Sequence, residues 1–186
     1  MQTFQNITAI YVREARHTDI YKISKCHKAC FPNSFLAYMG LFWIRGLYSF
    51  LMSCSQDISL VAIDHSSNIV GIVSGGEKKH VNRFLKSTIK KYWYVVLFKS
   101  VICRNMRKMV IKRLILRIRK RSTRKHYHVY PNDCSCSCID LLFIGVYPAT
   151  QKKGLGTLLI RKFEKCAVDS GFDSIRLSVK KDGSSE

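Results

Sequence analysis

The sequence predicts an α/β fold built as a single domain, and three observations carry that prediction. Elements read in the order strand, two helices, two or three strands, helix, strand. The continuous apolar run "CIDLLFIGVYP" passes through a glycine turn straight into a helical pattern, the form of a buried strand followed by a helix. A composition of 47% apolar residues, with 3 prolines in 186 residues, describes a chain that buries a continuous core without disulfides or metals.

The elements follow from residue type and spacing. "ITAIYVREA", Ile7 to Ala15, is rich in β-branched residues and predicts the first strand. Thr18 is placed to cap a helix through about Cys30, with Asp19 in the first turn where the helix dipole favours it. Ser34 opens a second helix, "FLAYMGLFWIRGLYSFLMSC", apolar nearly all round. Its length would reach across a bilayer, but the central Arg45, two glycines and no stop-transfer flank favour a buried or surface-lying helix. "ISLVAID" and "NIVGIVSGG", separated by "HSSN", predict a hairpin. After "CIDLLFIGVYP", the residues Leu158, Leu159, Phe163, Cys166 and Ala167 recur at helical spacing, Gly171 stands where a glycine ends a helix, and "SIRLSVKK" predicts the last strand.

Charge divides the chain unequally. Lys and Arg number 32 against 12 acids, a net of +20. From Glu77 to His128 there are 18 Lys or Arg and one acid, a net of +17, while the remainder carries 14 against 11, a net of +3. The excess belongs to an insert of about residues 77–133, and a field of that size favours anionic partners. The insert alternates apolar runs with cationic clusters; Met106, Met109, Val110, Leu114 and Ile118 fall at helical spacing and predict a basic amphipathic helix lying on a surface. Three readings stand beside one another: apolar residues packed over the domain with a solvated cationic face, contact with an acidic membrane surface, and nucleic-acid binding with stacking by Tyr92, Trp93, Tyr94 and Tyr127. The Val, Leu and Ile runs are more apolar than a nucleic-acid surface requires, which sets that reading last.

"MQTFQNITAIYVREA" lacks the basic start, apolar core and cleavage site of an export signal, so a cytoplasmic location is expected, at most peripheral to the inner face of the membrane. The 8 cysteines are then expected as reduced thiols, with Cys26 and Cys30 as core groups. His126, His128, Cys134, Cys136 and Cys138 offer zinc-ligand atoms, but C-x-C-x-C lacks knuckle spacing and Cys138 begins a strand, so no metal is expected.

The stretch "YPATQKKGLGTLLIRKF" carries the chemistry. A strand, a tight glycine turn and a helix N-terminus make an anion site, because first-turn N–H groups lack intrahelical acceptors. One glycine turns the chain with positive φ, and the other lets a phosphate approach without a Cβ in the way. Lys152 and Lys153 add positive charge. The spacing is neither that of a Walker A loop nor that of a dinucleotide fingerprint.

"IGVYPATQKKGLGTLLI" resembles the acetyl-CoA motif of the GCN5-related N-acetyltransferases, with Gln151, Gly154 and Gly156 at the positions of its Q/R-x-x-G-x-G/A pattern. The resemblance extends to the strand, helix pair and hairpin from Ile7 to Gly76. It implies a mixed, mostly antiparallel twisted sheet flanked by helices, with the basic helical insert between the third and fourth strands. It implies acetyl-CoA as co-substrate and a primary amine as acceptor. The pyrophosphate would sit on the N–H groups of Lys152, Lys153, Gly154, Leu155, Gly156 and Thr157. Backbone groups of Ile144, Gly145 and Val146 would bond the pantetheine, where this strand splays from the next. Asp140 stands where the family often places a base; a strand-end carboxylate bonded to a neighbouring amide or cation is the other reading.

The family's Asn after the last strand and its C-terminal Tyr have no counterpart in "SVKKDGSSE". That departure implies a truncated chain, a fold completed differently, or a copy that binds CoA without catalysing. It also leaves the final strand an edge that the insert or a second copy would have to cover. An amino sugar, free or nucleotide- or lipid-linked, suits the positive field; a protein lysine or N-terminus, a polyamine and an aminoglycoside stay open as acceptors, though cationic ones suit that field less.

Overall fold

In the computed structural model, which describes residues 10–108, 110, 111, 115 and 137–177, the strands form a five-stranded sheet in the order β1-β2-β3-β4-β5. β1 (Tyr11–Glu14), β2 (Ile58–Ile63), β3 (Ile69–Gly76) and β4 (Cys138–Val146) pair antiparallel in succession. β5 (Ser174–Leu177) lies parallel to β4, in register from Cys138↔Ser174 to Leu141↔Leu177. A parallel pair needs a crossover. The helix Leu155–Asp169, here α6, supplies it; α1 (Ile20–Cys30), α2 (Phe35–Met39), α3 (Leu41–Met52), α4 (Lys78–Lys91) and α5 (Trp93–Ile102) are helices that precede it. The expected basic insert lies between β3 and β4, and α4 and α5 belong to it.

Strand alternation divides the core into two layers. Val61 and Ile63 of β2 face α1 and α3, where Ile23, Cys26, Trp43, Ile44, Leu47, Tyr48 and Leu51 are buried. Leu60 and Ala62 face the other way, onto Leu155, Leu159, Phe163 and Ala167 of α6. Burying each large side chain of that stripe contributes about 2 kcal/mol. Gly171 follows the end of α6 at φ +80°, as its position in the sequence implied.

Three local expectations need correction. Thr18 caps nothing: His17–Asp19 form a short 3-10 turn before α1. Asp19 is the N-cap residue of α1 but makes no side-chain cap bond to it; its carboxylate instead closes the 3-10 turn, accepting the Arg16 N–H at 2.8 Å and two Arg13 guanidinium bonds at 2.6 and 3.0 Å. The second helix is two helices. Ser34 does cap it, its Oγ accepting the Ala37 N–H at 3.1 Å, but Gly40 at φ +99° ends α2 and is the N-cap of α3. Arg45, the charge in the middle of this apolar stretch, is exposed on α3 and lies over the Tyr21 ring. Finally, β4 is the fourth of five strands and is largely half-buried, with Ile139 and Gly145 its buried positions.

β1 is observed from Tyr11, and residues 7–9 lie outside the described residues. So do Met109, Leu114 and Ile118 of the amphipathic pattern, and Tyr127, His126, His128, Cys134 and Cys136. Met106 is fully buried, and Val81, Phe84, Leu85, Ile89 and Val110 pack partly buried on the α1–α3 layer, so part of the insert covers the domain. No helix among the described residues is long and apolar enough to cross a membrane.

Candidate functional site

The turn between β4 and α6 is held from both sides. Tyr147 N–H donates to the Val70 carbonyl at 2.8 Å, and Pro148–Thr150 make a 3-10 turn in which Thr150 Oγ1 donates to the Tyr147 carbonyl at 2.9 Å. Gln151 folds back so that Nε2 donates to the Val146 carbonyl, the last of β4, at 3.0 Å. Lys152 at φ +62° and Gly154 at φ +76° are both left-handed, which reverses the chain within three residues.

α6 therefore begins on an open end. Gly154 is its N-cap, no side chain caps it, and no acid stands in its first turn. Its first bond runs from the Leu158 N–H to the Gly154 carbonyl at 3.1 Å, leaving the preceding N–H groups without acceptors inside the helix. Gln151, Lys152, Lys153, Gly154 and Thr157 are exposed, whereas Leu155 is buried and anchors the helix start to the core. A Cβ at Gly154 would meet nothing within 4 Å, and one at Gly156 would lie 4.0 Å from Val146 Cγ2. Among the described residues the packing thus leaves room at both glycines; Gly154 is required by its dihedral, Gly156 by no contact among those residues.

Gly145 differs. A Cβ there would come within 2.8 Å of Cys30 Cβ and 3.1 Å of the Phe31 ring, so the end of α1 rests directly on β4. Beneath this contact lies a small polar nest. His27 Nδ1 and the Tyr48 hydroxyl are 3.0 Å apart, and the Cys26 and Cys30 sulfurs 3.9 Å. Burial pushes the His27 imidazole down to about 4 and the Tyr48 phenol up. The hydrogen bond to Cys30, with burial, raises the Cys26 thiol, and the same bond lowers Cys30.

Asp140 stands six residues before Val146, about 20 Å along the strand at 3.3 Å per residue. Its carboxylate accepts the Lys78 N–H at 3.3 Å and lies 3.9 Å from Arg176 of β5. Ile144 and Val146 are half-buried. The described pairing of β4 with β5 ends at Leu177, so the expected splay between the strands lies outside the described residues.

A cavity of about 570 Å³ adjoins the turn and escaped the sequence reading. Tyr21, Lys22 and Lys25 of α1, Asn68 and Val70 of β3 with its preceding turn, and Tyr147, Ala149 and Thr150 surround it. Lys22 is tied to the Ser67 carbonyl at 2.8 Å, while Lys25 lies over the Tyr21 ring. The available signal was the placement of two cations at i and i+3 on α1, beside an aromatic. A second unforeseen group joins the end of α3 to α4: Cys54, Asp57 and His80 bring ligand atoms within 4.8 Å of one another. Each has a partner in the chain, since His80 Nδ1 is 3.0 Å from both Asp57 oxygens and Cys54 Sγ donates to the Phe50 carbonyl. Burial raises the Asp57 carboxyl, and His80 opposes that rise. The group acts as a polar clamp of α4 against the sheet.

No family model matches the sequence, and no curated protein matches it. Solved structures do match its fold. An aminoglycoside N-acetyltransferase, AAC(6')-Iy in complex with CoA, matches over 92% of this chain and 78% of its own, with a TM-score of 0.55 and 12% identity. A GNAT family acetyltransferase of Staphylococcus aureus matches over 96% and 93%, with a TM-score of 0.52 and 12% identity. A GNAT family acetyltransferase from Brucella melitensis in complex with acetyl-CoA matches over 94% and 78%, with a TM-score of 0.50 and 15% identity. The likeness is one of architecture, and it agrees with the turn and sheet order described above: the chain has the fold of the GCN5-related N-acetyltransferases.

Proposed function

We propose that residues 1–186 form one acyltransferase domain that moves an acetyl group from acetyl-CoA to a primary amine. The observation that carries this reading is the uncapped, acid-free start of α6 behind the left-handed Lys152 and Gly154. A pyrophosphate there would meet the N–H groups of Lys152 to Thr157, with Lys152 and Lys153 adding charge and Gly156 leaving clearance. Two solved structures of this fold hold CoA or acetyl-CoA, which supports the same ligand class.

The chemistry asks little of the protein beyond positioning. The neutral amine attacks the thioester carbonyl carbon, the C–N bond forms, the C–S bond breaks, and CoA leaves as thiolate. The proton lost from nitrogen passes to a base. Ile144, Gly145 and Val146 offer backbone groups to orient the pantetheine, and Asp140 is our candidate base, acting directly or through water. An amino sugar is the favoured acceptor. Solved structures of this fold include aminoglycoside acetyltransferases, but a chain of net +20 repels polycationic acceptors, which favours a neutral or anionic sugar.

A non-catalytic reading, a CoA-binding module without turnover, is favoured by one observation: the Asp140 carboxylate is engaged by Lys78 and Arg176. Free-thiol release from acetyl-CoA across a panel of amines, run beside a thermal shift with CoA, separates the two. Turnover supports the transferase, and a shift without turnover supports the module. No shift, with Gly154→Glu behaving as wild type, removes both.

A further inference from the structure

We propose that α5 and the cations around it form a docking face for an anionic lipid bilayer. On this ten-residue helix Trp93, Tyr94, Leu97, Phe98, Val101 and Ile102 are all between 55% and 74% exposed. They form two adjacent ridges at i, i+4 and i+8, so the exposure is a continuous helix face. Large apolar patches of this kind mark contact surfaces on soluble domains.

The face is held rigidly outward. On the inner side Val95, Val96 and Tyr92 pack on the α1–α3 layer. Lys99 points inward, its Nζ donating to the carbonyls of Tyr38 and Met39 at 3.0 and 2.8 Å. These are carbonyls at the end of α2, so a half-buried ammonium ties α5 to the Gly40 break.

Charge complementarity selects the occupant. From Lys78 to Lys108 the chain has ten Lys or Arg and no Asp or Glu. Lys99 is spent inside; the other nine are exposed and stand in the chain on either side of α5, six on α4 and three at positions 104, 107 and 108. A helix of ten residues is about 15 Å long, half the thickness of a bilayer core, so it can only lie in the interfacial plane. Aromatic rings and aliphatic ends entering the headgroup boundary, with cations at the anionic surface, account for both halves of the surface. Nucleic acid would use the cations and the rings but gains nothing from Leu97, Val101 and Ile102. This inference does not depend on acyl transfer and is tested without turnover.

The two tryptophans make the test selective, since Trp43 is 3% exposed and Trp93 59%. The full chain is mixed with phosphatidylcholine vesicles, with or without phosphatidylserine, and followed by flotation and tryptophan emission. The expected result is flotation with the anionic vesicles only and a blue shift that disappears in Trp93→Phe. In Leu97→Glu/Val101→Glu, whose altered positions are solvent-facing, apparent affinity should fall at least about tenfold while the circular dichroism spectrum holds. Absence of flotation, an unshifted Trp93, or a double variant that floats as wild type each overturns the proposal. So does an RNA oligonucleotide bound with an affinity that the double variant leaves unchanged while vesicles are ignored.

Discussion

The Gln151 side chain is a strut between two elements: its Nε2 donates to the Val146 carbonyl at 3.0 Å, tying the loop before α6 to the end of β4. It thereby occupies a carbonyl of the strand proposed to orient the pantetheine and fixes the angle at which the helix start faces it. Gln151→Ala removes one exposed hydrogen bond, a loss of about 1 kcal/mol or less. CoA affinity should fall several-fold while the fold persists, as read by calorimetric titration beside thermal melting.

The two glycines of the turn should separate stability from binding. Gly154→Ala places a Cβ on a residue at φ +76°, and the left-handed backbone costs a non-glycine residue about 1 kcal/mol or more. For a chain of this length that lowers Tm by about 2 to 4 °C. Gly156→Asp, by contrast, has room for its Cβ and puts an acid in the first turn of α6, where the helix dipole welcomes it. Its Tm should hold or rise, and the shift induced by CoA should vanish because a carboxylate now faces the phosphates. Equal CoA response in wild type and Gly156→Asp would remove the pyrophosphate from this turn.

What was legible in the sequence was local. The β4, turn and α6 unit was readable because an apolar run, two glycines and a period of 3.6 follow one another without a gap, and Ser34 was readable as a cap because its partner is three residues away. Gly40 was not, since a glycine inside a helix and one that breaks it look alike. Here the break is sustained by Lys99, some sixty residues away, which takes the carbonyls of Tyr38 and Met39. The same holds for Asp19, whose partner Arg13 sits on β1, and for Asp140, whose amide donor Lys78 is 62 residues distant. The cavity beside the turn gathers α1, β3 and the 3-10 turn, three segments that nothing in the chain order links.

Asp140 tests the proposed chemistry. If its carboxylate takes the amine proton, Asp140→Asn should lower kcat about 100-fold or more at neutral pH while leaving KM for acetyl-CoA unchanged. The amide keeps an acceptor for the Lys78 N–H, so melting should change little. Arg176→Ala removes the guanidinium 3.9 Å from the carboxylate but not the carboxylate itself, so its kcat at neutral pH should fall far less than that of Asp140→Asn. Unchanged kcat in Asp140→Asn assigns the residue to strand-end structure alone.

His27 gives the fold a pH dependence. Its imidazole is buried against Phe31, Tyr48 and Phe143, and its folded pKa is pushed from 6.5 down to about 4. The unfolded chain therefore binds a proton that the native state refuses. Stability is full above the unfolded value and is lost as pH falls from about 6.5 through about 4, a total of about 3 kcal/mol. Asp19 acts lower: the Arg13 guanidinium holds its carboxyl below 3.8, so its contribution is lost only below that value. Urea unfolding between pH 7 and 3 should show the two windows in succession. His27→Gln should flatten the first while leaving the second, and a variant that keeps the slope between pH 6.5 and 4 would place the titrating group elsewhere.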